Sequence, residues 1–265
     1  MFRSVLLKTL FEKRWMLLGW SLGVVAMALL MMTFYDSFSQ GGFDEALDSL
    51  PDQLKGLVGD TANLKTVPGF VSQQIFELRV PMLTIIMAVI LYAALLAGDE
   101  DEGVLQSLLA QPVKRSVVYW QKFAAGASIV LLVSLASIIG VWIGLLVVDE
   151  TMSTLRLVQS AVGVWAITMV FGSLTYAIGA ASGKKGLAGS MAGIGAFFFF
   201  MISSFAPSVS WLEDIEKYLS PFYYYNSPSI ANVGLDMGNI IVLLALAAIS
   251  SILGYMFFVR RDVQL

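Results

Sequence analysis

Long stretches without any charged residue dominate the chain. Six such windows fall at residues 15–35, 81–97, 123–148, 157–181, 187–206 and 237–259. Each approaches the ~20 helical residues that cross the hydrocarbon core of a bilayer. An apolar segment in lipid must satisfy its backbone hydrogen bonds internally, which a helix does. The pattern therefore predicts an all-α membrane protein with six transmembrane helices in a single domain, residues 1–265.

The first fourteen residues are amphipathic. Apolar and basic side chains alternate there at helical spacing; the apolar ones are Phe2, Val5, Leu6 and Leu10, and the basic ones are Arg3, Lys8, Lys13 and Arg14. This pattern predicts a helix that lies in the membrane interface ahead of the first span. A basic flank to a membrane helix is an equal alternative.

Two segments between the windows also carry apolar residues at helical spacing. Before the second window, the spacing predicts one or two short helices, broken at Pro51, from Leu47, Leu50, Leu54 and Leu57. Before the sixth window, another short helix is predicted from Trp211, Leu212, Ile215, Tyr218 and Leu219. The aromatic cluster at 222–225 follows it. Since aromatic side chains favour the headgroup level, interfacial anchoring is the simplest role of this segment.

Glycines recur at a spacing that lets helix backbones approach closely in lipid. The pairs are Gly19/Gly23, Gly140/Gly144, Gly179/Gly183 and Gly189/Gly193. We expect these pairs to pack helices within the chain.

The distribution of basic residues predicts the orientation. If both termini are cytoplasmic, eleven of the sixteen lysine and arginine residues lie on the inner side. Positively charged loops remain in the cytoplasm, so both termini are predicted to be cytoplasmic. The even number of spans agrees with this orientation.

Residues 98–122 form the longest charged interruption on the predicted inner side. Four carboxylates at 99–102 precede an apolar pattern at helical spacing, Val104, Leu105, Leu108 and Leu109, and Pro112 ends it. The pattern predicts a short amphipathic helix between the second and third spans. A helix in this place is suited to dock on a soluble partner.

The composition excludes several kinds of chemistry. The chain is 58% hydrophobic and 13% charged, and it contains neither cysteine nor histidine. Disulfides, thiolate chemistry and the Ser/His type of catalysis are therefore excluded, and no metal site or catalytic residue is predicted. The charge-free windows also disfavour ion-coupled transport, which usually needs ionisable groups inside the membrane. The glycine–lysine stretch at 179–185 lacks the spacing of a phosphate-binding loop. We expect the chain to depend on a partner for energy.

The stretch at 100–122, EDEGVLQSLLAQPVKRSVVYWQK, resembles the cytoplasmic segment of ABC-2-type transporter permeases. The matching positions are Glu102, Gly103, Leu105, Leu108, Leu109, Pro112, Val113, Arg115 and Lys122. Val104 and Gln106 depart from the usual threonine and acid. LPDQLKGLVGD at 50–60 and LSPFYYY at 219–225 extend the resemblance over essentially the whole chain.

The resemblance implies an ATP-driven exporter in the cell membrane. Two six-helix permeases, either two copies of one chain or two related chains, would each dock on a separate ATP-binding subunit that holds ATP and magnesium. The stretch at 98–122 would be the coupling helix, which docks on that subunit through Glu100, Glu102, Gly103, Leu105, Leu108, Leu109, Pro112, Val113 and Arg115. In this family spans two and five border the central path, which would include Phe197, Phe198, Phe199, Phe200 and Met201 unless they face lipid or pack between helices. A hydrophobic or amphipathic substrate fits a charge-free interior.

Two other functions are compatible with the sequence pattern. The chain could be a membrane scaffold or sensor subunit that has the same fold and transports nothing. An intramembrane enzyme is the third reading, although the spans lack the residues for catalysis.

Overall fold

Six long apolar helices form a bundle in the computed structural model, which describes residues 4–40, 64–110 and 113–261. Span 1 comprises Arg14–Met32 and Tyr35–Ser39, span 2 runs over Val67–Asp101, span 3 is Arg115–Val147, span 4 is Thr154–Ser182, span 5 is Lys185–Phe205 and span 6 is Met237–Arg260. These described ranges contain no strand. The predicted all-α architecture with six spans is confirmed.

Shorter helices flank the spans where the amphipathic patterns predict them. The N-terminal helix is Val5–Glu12, and the Ser4 side chain caps it by accepting from the Leu7 N–H at 3.2 Å. Before span 6, the chain forms Ala206–Ser208 as a 3₁₀ turn and then the helices Ser210–Leu219, Pro221–Tyr224 and Ser227–Asn232. Val104–Leu109 is the short helix between spans 2 and 3. The helices predicted around Pro51, together with Phe2 and Arg3, lie outside the described residues.

Span 2 begins well before its charge-free window. It is built from Val67–Phe70, a π-helical segment Val71–Glu77, the helix Arg79–Ala93, a second π-helical segment Ala94–Gly98 and Asp99–Asp101. Arg79 bounds this window on its N-terminal side in the sequence, and in the structure the helix Arg79–Ala93 begins there, directly after a turn at Leu78. The Arg79 guanidinium donates to the side-chain oxygen of Gln74 at 2.6 Å, so this charge is paired locally.

Spans 2 and 4 form the centre of the bundle. In the most apolar stretch of each, 72% of residues are buried, against 17% in span 1, 22% in span 5 and 28% in span 6. Span 4 packs against spans 2, 3, 5 and 6. Spans 1, 5 and 6 therefore present wide apolar surfaces to their surroundings.

The glycine pairs divide into two groups. Gly140 and Gly144 of span 3 lie against span 1, where an added Cβ would overlap the carbonyl oxygen of Val25 and the side chain of Met32 respectively. Gly179 likewise lies against Ala97, at 3.3 Å from an added Cβ. Packing within the chain is confirmed at these positions.

The same prediction is wrong for the first pair. A Cβ added at Gly19 or Gly23 would meet nothing within 4 Å, and Gly193 is equally open. Gly19 and Gly23 are exposed on the outward side of span 1, whereas Gly193 faces an open space between spans 2 and 5.

The bundle has two ends that differ in what they carry. The Arg261 end holds the N-terminal helix, the segment between spans 2 and 3, the turn between spans 4 and 5, and the end of span 6. There the Leu6 N–H donates to the Gln121 side chain at 3.2 Å. The Tyr225 end holds the short helices that precede span 6.

Candidate docking segment and transmembrane groove

The docking segment, residues 98–115, turns at Gly103 after span 2. Gly103 has a φ of 72°, in the left-handed region that glycine adopts without strain. The helix Val104–Leu109 begins directly after it. This helix therefore lies between the turn and span 3, at the Arg261 end of the bundle.

The short helix has an inner and an outer side. Leu105 is fully buried in the core, and Leu108 and Val113 are half-buried against it. Val104 is 40% exposed, and Glu102 and Ser107 are exposed as well. Leu105 and Leu108 of the predicted apolar face thus contact this chain's own core, whereas Val104 of the same face lies on the open side. Pro112 and the side chain of Leu109 lie outside the described structure.

Several acids of the segment are paired inside the chain. Asp99 forms an ion pair with Lys122 of span 3, and Glu100 forms one with Arg261 after span 6. Asp101 accepts from the backbone N–H of Lys185 at 3.2 Å.

Arg115, the basic residue of the predicted docking set, also bonds within the chain. Its guanidinium donates to the carbonyl oxygen of Arg261 at 2.9 Å. Glu100 keeps only 8% of its side chain exposed, so little of it is available to a partner in this structure.

A groove runs between spans 2 and 5. Its volume is about 280 Å³. It is lined by Met82, Ile85, Ile86, Val89, Ile90, Gly193, Ala196, Phe197, Phe200 and Phe222. Every lining residue is apolar or glycine, so the groove can hold a hydrocarbon surface but offers no polar side chain for recognition.

Two of the five predicted path residues lie in this groove. Phe197 and Phe200 line it, whereas the Phe199 ring faces Phe171 of span 4 with 6.4 Å between ring centroids. Phe198 is 57% exposed and Met201 is half-buried, and neither lines the groove. The side chains of span 2 that complete the groove, such as Ile86 and Ile90, were not singled out because an apolar window has no feature that marks one face.

The short helices at the Tyr225 end close over the groove. The Ser220 hydroxyl donates to the Phe199 carbonyl of span 5 at 3.2 Å, and Phe222 reaches the groove itself. The Tyr225 hydroxyl donates to the Phe76 carbonyl of span 2. Burial raises the pKa of Tyr225 well above its ordinary value, so the hydroxyl stays protonated and able to donate. These bonds tie the aromatic cluster to both walls.

The comparison with protein families agrees with this architecture. The family model described as ABC-2 family transporter protein matches residues 7–263. A search of curated proteins returned no match to the chain. The match covers nearly all of the chain, including all six spans and the docking segment. The chain therefore belongs to the ABC-2 transporter family and is a membrane-spanning permease subunit of an ABC transporter.

Proposed function

We propose that this permease belongs to an ATP-driven exporter of a hydrophobic or amphipathic substrate, and that a separate ATP-binding subunit powers it. The observation that carries the proposal is the helix Val104–Leu109, which lies at the Arg261 end with one side open. ATP and magnesium would be held by the partner. The Arg261 end would then face the cytoplasm of the cell, as the excess of basic residues on this side favours.

The open side of the docking segment is the surface proposed to touch the ATP-binding subunit. We call Glu102, Val104 and Ser107 the docking face, since all three are exposed. Leu105 and Leu108 of the predicted docking set hold the helix on the core from its inner side, and Gly103 supplies the turn that precedes it.

The substrate path would run along the groove between spans 2 and 5. Its apolar lining supports an apolar or amphipathic cargo, because an uncompensated polar group would lose its hydrogen bonds to water there. A second permease, either another copy of this chain or a related one, would pack beside the exposed surfaces and complete the path.

The docking face is tested with a candidate ATP-binding subunit that forms a complex with this chain. We expect Val104→Asp to weaken the complex at least about tenfold, because it places a carboxylate in an apolar contact. Val233→Asp is the matched control, since Val233 is 77% exposed and lies at the Tyr225 end. Affinity and the ATPase rate are measured on both purified complexes.

Each result has a definite reading. A Val104→Asp complex of unchanged affinity and ATPase rate would rule out the docking face. If the parent chain binds the ATP-binding subunit but substrate candidates never alter the ATPase rate, the scaffold or sensor function is favoured instead.

A further inference from the structure

Three consecutive carboxylates at the end of span 2 each bond to a different part of the bundle. Asp99 pairs with Lys122 of span 3, Glu100 pairs with Arg261 after span 6, and Asp101 accepts from the Lys185 N–H at the start of span 5, at 3.2 Å. We call Asp99, Glu100 and Asp101 with these partners the acidic junction. A helix of only three residues thereby connects span 2 to three other spans.

The ionic bonds of the junction are shielded from water. Lys122 is 3% exposed, and its ammonium also donates to the Leu95 carbonyl at 2.7 Å. Leu95 belongs to the π-helical segment Ala94–Gly98, where the wider turn disturbs the regular backbone pairing. The lysine therefore binds both the acid and the backbone of the turn that leads into the docking segment.

The surroundings of Glu100 and Arg261 are shaped to the pair. Gly183, which directly follows span 4, leaves space for the ion pair. A Cβ added there would overlap the Arg261 guanidinium and lie 2.8 Å from a Glu100 oxygen. The Lys8–Glu12 pair on the N-terminal helix is different: its atoms are 3.6 Å apart and both side chains are about half exposed. Exposed pairs of this kind contribute little, whereas breaking a shielded pair leaves a charge without compensation.

We propose that the acidic junction transmits movement of the docking segment to spans 3, 5 and 6. Asp99, Glu100 and Asp101 are then positioning residues that act inside the chain. Only Glu102 and Gly103 separate the junction from the helix Val104–Leu109. A displacement of that helix therefore acts directly on the three bonds of the junction. This inference rests on the proposed function, since it needs an ATP-binding subunit that moves the docking segment.

The test follows the far end of span 6 in the complete complex. The chain has no cysteine, so Met237→Cys, at an exposed position that begins span 6, gives one labelling site. The complex with the ATP-binding subunit is placed in nanodiscs, and the alkylation rate at position 237 is measured without nucleotide and with ATP and vanadate. Glu100→Gln is compared with Glu12→Gln, which removes the exposed carboxylate of the surface pair.

We expect the Glu12→Gln complex to keep the nucleotide-dependent change in labelling rate. The Glu100→Gln complex should still bind the ATP-binding subunit, but the change should shrink at least about fivefold. Glu100→Arg combined with Arg261→Glu restores the pair with reversed charges and should recover the response. This rescue distinguishes transmission from a general loss of structure.

The outcomes that contradict these expectations distinguish a failure of the proposed function from a failure of the inference about the acidic junction. If the parent chain forms no complex, the proposed function fails. If the complex forms and Glu100→Gln responds like Glu12→Gln, or the parent shows no response at position 237, the junction does not transmit movement and only this inference is overturned. The inference is also overturned if Glu100→Gln abolishes binding and the reversed pair does not restore it.

Discussion

At the scale of single residues, glycines set how closely the spans approach. Tyr92 of span 2 fits between Gly126 of span 3 and Gly172 of span 4, where an added Cβ would come within 2.7 Å and 2.6 Å of its ring. The Tyr92 hydroxyl donates to the Phe123 carbonyl at 3.2 Å. The absence of side chains at Gly126 and Gly172 thus leaves the space that the Tyr92 ring fills, which keeps this part of the interior closely packed.

Gly140→Ala is expected to destabilise the chain by about 1–3 kcal/mol, because its methyl group would overlap the backbone of span 1 at Val25. Backbone atoms cannot rotate away as the end of a side chain can. Thermal unfolding of the purified chain in detergent measures the change.

Gly19→Ala is the control for this substitution. Gly19 begins a pair with the same spacing, but an added Cβ there meets nothing within 4 Å. Because alanine favours helix more than glycine does, Gly19→Ala should leave the stability unchanged or slightly raised. Equal losses of stability in both variants would contradict the packing of spans 1 and 3.

At the scale of elements, the helix Val104–Leu109 separates two roles on its two sides. Leu105→Ala should lower the stability of the chain alone by about 2–5 kcal/mol, since Leu105 is fully buried. Val104→Ala should change it by no more than about 0.5 kcal/mol, because Val104 is 40% exposed and lies on the open side of the helix. Unfolding of the permease without its partner measures both values, and a stable Leu105→Ala chain would show that the helix is held by other contacts.

The sequence pattern predicts where the helices lie but not what covers them. The spacing of Leu105 and Leu108 correctly indicates an amphipathic helix, yet spacing alone does not say whether a partner or the chain's own core receives the apolar face. Gly19/Gly23 and Gly140/Gly144 show the same limit. The two pairs have the same spacing, but only Gly140 and Gly144 pack against another span. Periodicity is a local property, and contact is a property of the whole bundle.

Charges limited the sequence prediction in a similar way. Arg79 bounds the second charge-free window, and span 2 extends past it to Val67. The pairing of Arg79 with Gln74 depends on side-chain geometry that the sequence does not show. Glu100 and Arg261 are separated by 161 positions in the chain. No local sequence pattern connects two residues so far apart. From the sequence alone, the four acids at 99–102 therefore indicate only the solvent-exposed start of a helix.

At the scale of the whole molecule, the groove between spans 2 and 5 permits a direct test of the substrate path. Gly193→Leu places a side chain in the groove, whereas Gly195→Leu adds the same bulk two residues along span 5, outside the lining. We expect Gly193→Leu to reduce ATP-driven efflux of a lipophilic dye from cells, with Gly195→Leu close to the parent. Loss of efflux only in Gly195→Leu would place the path elsewhere.

The orientation of the bundle can be tested with single cysteines, because the chain has none of its own. Thr151 and Ala181 are exposed residues beside opposite ends of span 4, at the Tyr225 end and the Arg261 end respectively. The predicted topology assigns eleven of the sixteen lysine and arginine residues to the side of Ala181, so that side is expected in the cytoplasm. A membrane-impermeant maleimide should therefore modify Thr151→Cys in intact cells and Ala181→Cys only after permeabilisation. The reverse result would turn the docking face to the outside of the cell, where no ATP-binding subunit could reach it.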